Sequence, residues 1–138
     1  MGYRAALYDT LHPDCIAIRT AVFVEEQGFQ EEFDEMDAHS THLVLYDGDT
    51  PVATGRLLFQ EGGWWIGRVA VMQACRGAHL GSRVLSELEA LAKERGADHV
   101  SLAAQCRVQK FYESAGYTAL PDYHDEEGVP HVKMVKKL

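Results

Sequence analysis

The sequence predicts a single mixed α/β domain, and three observations carry that prediction. Three strand-like segments follow one another through tight, Gly-containing turns between residues 42 and 72. Directly after them Leu80, Val84, Leu85, Leu88, Leu91 and Ala92 recur at helical spacing. Strand and helix signals alternate on both sides of this unit, with no internal repeat, low-complexity segment or linker to divide it. At 138 residues one domain is the economical reading, long enough to bury a real core.

Taken in order, residues 3–8 form a first strand bounded by Asp9. Pro13 suits the first turn of a helix, and Leu11, Cys15, Ile18 or Arg19, and Val22 keep helical spacing, so one amphipathic helix is expected over 12–24, ended by Gly28. Residues 25–37 then hold seven acids and no base: Glu25, Glu26, Glu31, Glu32, Asp34, Glu35 and Asp37. Such a run reads either as a solvated loop or helix face, or as a funnel that concentrates cations. Strands at 42–46, 52–60 and 64–72 make the antiparallel meander, turning at Asp47-Gly48-Asp49 and Glu61-Gly62-Gly63. The helix from Leu80 closes with Lys93 and Arg95 in its last turn and Gly96 as its cap. Val100, Leu102 and Ala104 mark a strand over 98–105, and a short helix over 108–115 carries Phe111 and Tyr112 and stops at Gly116. Two last strands, 117–120 and 131–136, flank an acidic loop containing Asp122, Asp125, Glu126 and Glu127.

Composition excludes several classes of function. Hydrophobic residues make up 46% and charged residues 25%, ordinary for a soluble protein, and no apolar run approaches a membrane span. Net charge is −8, from 13 basic and 21 acidic residues, with no basic stripe of the kind a nucleic-acid binder presents. The three cysteines, Cys15, Cys75 and Cys106, are widely spaced with no C-x-x-C, which argues against a disulfide framework and a zinc site. With no signal-like h-region after Met1, the expected location is cytoplasmic. Gly2 invites a myristoylation check, but position 6 is Ala where that motif needs Ser or Thr.

The most informative stretch runs from Val69 to Leu85. It reads as a strand end, a short turn and the first turn of an amphipathic helix, with Arg76 just before Gly77 and with Gly81 inside the helix start. A helix start leaves backbone N–H groups without partners and carries partial positive charge, so glycines there allow an anion to approach closely. Taken alone, the stretch reads equally well as an ordinary strand-to-helix turn. It is not a P-loop, because residues 77–82 lack the Gly-Lys-Ser/Thr ending.

The order of elements, Ile66-Gly-Arg-Val-Ala-Val with Arg76-Gly-Ala-His-Leu-Gly81, and Phe111-Tyr-Glu-Ser-Ala-Gly-Tyr117 together resemble the GNAT superfamily of acetyl-CoA-dependent N-acetyltransferases. Arg76–Gly81 is similar to its Gln/Arg-x-x-Gly-x-Gly/Ala pyrophosphate motif, and Phe111–Tyr117 to its Phe-Tyr-x-x-x-Gly-Phe segment. Arg19-Thr-Ala-Val-Phe-Val-Glu-Glu-Gln27, Glu32-Phe-Asp-Glu-Met-Asp37 and Gly128-Val-Pro-His131 resemble the ElaA-like branch. The resemblance covers essentially the whole chain. It implies a central mixed, mostly antiparallel sheet of six to seven strands flanked by about four helices. One departure is His79, which stands at the first motif glycine and is expected to adopt helical dihedrals with its N–H still facing the anion.

The resemblance implies direct acetyl transfer from acetyl-CoA to a primary amine, with no metal. Cofactor contacts are then expected from Val69, Ala70 and Val71 along the pantetheine arm. Arg76, Gly77, Ala78, His79, Leu80, Gly81 and Ser82 are expected at the pyrophosphate, with Gln105, Phe111 and Tyr112 nearby. Val71 N–H is the implied oxyanion donor and Tyr112 the implied general acid for the departing thiolate. An ammonium acceptor must also lose a proton. Glu26, at the end of the first helix, is the first candidate base. Asp34 and Asp37 follow, with His131 an alternative base or substrate contact. His42 is expected to satisfy a core or strand-edge hydrogen bond. Asp34, Asp37, His39 and His42 form a string that matches no standard metal-site spacing, and no His can be paired with Cys106 as a nucleophile.

The acidic approach suggests a small cationic amine as partner, and the family resemblance allows a homodimer. Two other readings stay open. One is a non-catalytic acyl-CoA-binding sensor; the other is an acyl-homoserine-lactone synthase-like acyltransferase, suggested by Arg19, Phe23, Glu32, Asp34 and Asp37.

Overall fold

Strand 42–46 reads as an unbroken apolar run rather than an alternating one, and the reason is that both faces of the sheet are covered. The computed structural model describes residues 2–138. Its strands are β1 (Arg4–Tyr8), β2 (Thr41–Asp47), β3 (Thr50–Gln60), β4 (Gly63–Val71), β5 (His99–Gln105), β6 (Thr118–Glu126) and β7 (Val129–Lys137). Its α-helices are α1 (Pro13–Arg19), α2 (Leu80–Glu94) and α3 (Gln109–Ser114). Leu43 and Leu45 of β2 belong to the cluster under α2, with Val84, Leu85 and Leu88. Val44 and Tyr46 belong to the cluster under α1, with Cys15, Ile18 and Val22.

The seven strands lie in the order β1-β2-β3-β4-β5-β7-β6. Every neighbouring pair is antiparallel except β4 and β5, which run parallel. Only one register pair joins those two, Trp65↔Ser101. Beyond it the C-terminal halves of β4 and β5 no longer pair, and a cleft opens between them. β4 also bulges: Thr54 faces Ala70 while Arg56 faces Gly67, so one extra β4 residue is accommodated, and Arg68 there has φ 52. Helix α2 presses on β3 at Gly55, where a Cβ would come within 2.7 Å of Val84 Cγ1. Only glycine permits that approach.

Three sequence expectations need correction. The helix over 12–24 is α-helical only to Arg19 and then widens into a π segment, Thr20–Glu26, in which Gln27 N–H bonds to Val22 O, five residues back. The expected acidic loop around Asp122 is strand instead. β6 runs through Glu126, paired with β7 on both sides of an irregularity between Ala119 and Tyr123, and the strand pair closes in a two-residue turn at Glu127 and Gly128 (φ 51 and 80). His79 is not helical: it sits just ahead of α2 with φ 58 and ψ 30, a left-handed conformation. The acidic run contributes a short 3₁₀ turn, Glu35–His39.

Candidate active site

The turn before α2 presents a row of unused donors. Among the described residues, no N–H from Gly77 to Ser82 donates to a protein acceptor, and the residue before the helix, His79, makes no side-chain cap. Gly77 (φ 95) and His79 (φ 58) alternate the backbone so that successive N–H groups can converge, as in an anion-binding nest. This donor set fits the pyrophosphate of acetyl-CoA. Gly81 serves a different purpose: a Cβ there would lie 3.1 Å from Phe111 Cζ, so the glycine lets α3 dock against the cradle.

The strand edge beside the cradle is open as well. Met72 N–H bonds to Val52 O, which makes Ala53↔Val71 the alternate, non-hydrogen-bonded pair of the antiparallel ladder. The Val71 N–H and C=O therefore point away from β3, into the cleft. Tyr112 lines the same cleft and its hydroxyl has no protein partner among the described residues, while burial pushes its pKa up to about 12. The phenol is thus fully protonated at neutral pH. Its helix is closed by Gly116 (φ 98): Tyr117 N–H bonds to Tyr112 O at 3.0 Å and Gly116 N–H to Glu113 O at 3.0 Å. The Tyr117 ring meets the Tyr112 ring edge-on at 5.9 Å. That is why the Phe-Tyr-x-x-x-Gly-Tyr spacing holds the phenol in place.

The cleft measures about 840 Å³, in the range of small-ligand sites. It takes in Val69, Ala70, Val71, Arg76, Gly77, His79, Leu80, Gly81, Ser82, Gln105, Phe111 and Tyr112, and on the other side Asp34 and His131. Ala78, Glu26 and Asp37 do not line it. Arg76 does not point at the cradle. It donates to both Glu26 carboxylate oxygens at 2.6 and 2.7 Å, and to Val71 O at 3.0 and 3.2 Å. This hydrogen-bonded pairing holds the Glu26 carboxyl below its ordinary range, which makes Glu26 a weaker base. The neighbouring Gln27 accepts from Gln105 at 2.8 Å. The end of the π segment therefore ties the chain beyond β4 to the end of β5, across the opening of the cleft.

Most of the acidic run turns out to be scaffold. Buried Arg19 of α1 donates to Glu32 at 2.8 Å and to Asp37 at 2.7 and 3.2 Å. Arg56 of β3 donates to Asp34 at 2.9 Å and Asp37 at 2.8 Å, and Arg68 reaches Glu32 and Asp34 at 3.0 and 3.3 Å. Three carboxylates thus face three guanidiniums, each of which would be costly to bury alone. Burial works to raise the Asp37 pKa, but the arginine hydrogen bonds outweigh it and hold it at about 2. Asp34 is also lowered against the burial effect, whereas for Glu32 burial prevails and raises it. Asp37 is therefore saturated by its partners and is corrected from candidate base to structural anchor. His42 is buried and bonds through Nε2 to Asp37 O at 2.9 Å, the core role expected of it.

His131 lines the cleft. Its Nδ1 lies 2.8 Å from Val129 O, a contact that requires Nδ1–H as donor and leaves a lone pair on Nε2 of the neutral ring. It stacks on His124 across the β6–β7 ladder. Glu127, at the tip of that hairpin, accepts from the N–H groups of Gln30 and Glu31 at 2.9 and 3.0 Å, which fastens the hairpin to the loop after the π segment. Arg56, Arg68, Gln27 and Trp65 were not expected at the site. Arg68 and Gln27 lie in segments that carry the resemblance but without a role there, and no motif covers Arg56 or Trp65; the β4 bulge and the open β4–β5 seam bring Arg56, Arg68 and Trp65 to the cleft.

Comparison with known proteins shows the family and the fold. The family pattern described as Acetyltransferase (GNAT) domain matches residues 11–138. The Bacillus subtilis strain 168 protein YjcF, named an uncharacterized N-acetyltransferase, is 36% identical over 126 residues, covering 89% of this chain and 90% of the relative. ElaA of Escherichia coli K12 is 32% identical over 130 residues, covering 89% and 85%. The crystal structure of E. coli ElaA superposes with a TM-score of 0.85 at 28% identity, over 99% of both chains. An aminoglycoside 6'-N-acetyltransferase complexed with coenzyme A shares the fold, with a TM-score of 0.76 at 17% identity over 97% and 96% of the two chains.

Proposed function

Because the chain belongs to the GNAT acetyltransferase family, we propose that it transfers an acetyl group from acetyl-CoA directly to the primary amine of a small acceptor that is cationic in solution. The observation that carries this reading is a convergence. Gly77 and His79 to Ser82 with their unused N–H groups, Val71 with its outward N–H, and Tyr112 with a hydroxyl unpartnered among the described residues all line one cleft.

Acetyl-CoA supplies the thioester electrophile; the remaining work falls to the chain. The 77–82 N–H groups hold the pyrophosphate, and the exposed β4 edge at Val69 and Val71 receives the pantetheine arm as a strand would. Val71 N–H donates to the carbonyl oxygen as charge develops on it. Tyr112 donates its proton to the departing thiolate. His131 Nε2 takes the proton that the ammonium must lose, directly or through a water, since Glu26 and Asp37 are committed to arginines. Glu31 and Glu126 line the acceptor side and favour a positively charged amine there.

The test has two stages. Acetyl-CoA in excess should raise the melting temperature, because a ligand bound only by the native state stabilises it; no shift at millimolar acetyl-CoA would overturn the cofactor assignment. A thiol-release screen across amines then separates an enzyme from a sensor, and binding with no release from any amine would leave only the sensor. In the same assay, His131→Asn should lower kcat.

A further inference from the structure

The acceptor half of the cleft contains a buried donor with nothing to donate to. Among the described residues, Arg56 Nε is the single buried side-chain nitrogen or oxygen without a hydrogen-bond partner. The side chain is 9% exposed, and its terminal nitrogens are engaged with Asp34 and Asp37, so the guanidinium cannot turn to satisfy Nε without giving up charge-assisted bonds. An unmade hydrogen bond at a buried donor is costly and calls for an occupant.

The surroundings define where that occupant sits. Arg56 faces Gly67 in the β3–β4 register, and a Cβ on Gly67 would lie 3.7 Å from Nε. The space that any other side chain would fill is thus left to the cleft, which Arg56, Gly67 and Arg68 all line. Arg68, in its left-handed conformation at the bulge, spends Nε and Nη2 on Glu32 and Asp34, while Nη1 donates to no protein acceptor among the described residues. The three guanidiniums and three carboxylates of this cluster balance. It therefore lacks the excess negative charge that would hold an ammonium, and what it offers the cleft is N–H donors.

We propose that the acceptor carries a carboxylate or carbonyl oxygen remote from its amine, received over Gly67 by Arg56 Nε and Arg68 Nη1. The acetyltransferase reading enters only in placing the reacting amine near Val71. At about 3.3 Å per strand residue, and less across the bulge, the oxygen site and the transfer site are roughly 10 Å apart. That separation exceeds what an α-amino acid spans between its amine and carboxylate, and points to a chain with a terminal amine.

Three probes of one chain length test this on the full protein: 6-aminohexanoate, 6-aminohexanamide and hexylamine. Calorimetry should show the two oxygen-bearing amines binding at least about 10-fold more tightly than hexylamine. The ranking of the first two distinguishes a carboxylate from a neutral carbonyl. Gly67→Ala needs no unusual backbone and meets Nε only at contact distance, so it should keep the melting temperature while erasing the preference. Equal binding of hexylamine, no binding of any probe, or an unchanged preference in Gly67→Ala each overturns the proposal, and Nε then holds a water. Thiol release read in parallel separates the two ideas. A preference in binding without release sinks the transfer reading alone, whereas release with equal kcat/KM for all three sinks only the oxygen site.

Discussion

Phe111 rests on Gly81 so closely that a single added methyl on the glycine would stand 3.1 Å from the ring's Cζ. The contact joins the two segments that resemble a family motif. The helix that presents Tyr112 is seated on the helix start that presents the unused N–H groups, so phenol and cradle share one rigid support.

Gly81→Ala should therefore separate stability from binding. Alanine is worth about 1 kcal/mol over glycine in a helix interior, but overpacking against a ring costs about 1–3 kcal/mol. The two effects largely offset each other in the melting temperature. Displacement of Phe111 or of the helix start should nevertheless raise the Kd for CoA by about 10-fold. An unchanged Kd by calorimetry would show that the contact does not position the cradle.

His79 pays for its left-handed backbone, a cost of about 1–2 kcal/mol for most non-glycine residues, although His is among those that tolerate it better. His79→Gly should bind CoA at least as tightly as the parent chain. His79→Val, with its branched Cβ, should lose about 1–2 kcal/mol in urea unfolding together with CoA affinity. If the Val variant is as stable as the Gly variant, the conformation at 79 is not the one described.

Tyr112→Phe should lower kcat by roughly 100-fold, the low end for general acid catalysis, with little change in CoA affinity. Because burial places the phenol's pKa at about 12, the parent enzyme should show no alkaline loss of activity from this group below about pH 11. A basic limb near pH 9 that disappears in the Phe variant would contradict the second statement, and an unchanged kcat in that variant the first.

Glu26→Gln tests the demotion of the sequence-based base. With its hydrogen-bonded pair to Arg76 removed, the guanidinium is released toward the cradle, and CoA should bind a few-fold more tightly at low salt, the gain fading as salt is added. Turnover should stay within a few-fold of the parent. A collapse of kcat with unchanged CoA affinity would restore Glu26 as the base.

Asp37 links the fold to pH. Its carboxyl is lowered from 3.8 to about 2, so it binds fewer protons in the folded chain, and its contribution is present above about pH 4 and lost as pH falls toward 2. Allowing for screening, that contribution is on the order of 1 kcal/mol. Glu32, raised by burial, acts with the opposite sign. The stability gap between the parent and Asp37→Asn, measured in urea at pH 6 and at pH 3, should narrow on acidification; a constant gap would remove Asp37 from the acid sensitivity.

How much of this was legible depended on whether an interaction was local. The meander, α2 and its Gly96 cap, and the Phe111–Tyr117 segment could be read because turn residues, period and capping act within a few neighbours. His79 stands at a glycine position in the sequence, but its left-handed dihedrals are not legible there, because nothing in the residue type forbids a helical backbone.

The acidic run shows the limit most plainly. From sequence, Glu32, Asp34 and Asp37 are carboxylates near one another with no base among them. Their arginines come from α1, β3 and β4, and only burial in a shared, low-dielectric space makes those pairings decisive. By itself the sequence determined the succession of strands and helices and the helix start with its unused N–H groups, because those follow from local backbone chemistry, while the phenol's place beside that start was implied only by the family resemblance. The tertiary structure alone decided which charges cancel, which donor at Arg56 is left over and where the cleft opens, because those depend on strand register and on the single Trp65↔Ser101 pairing across the β4–β5 seam.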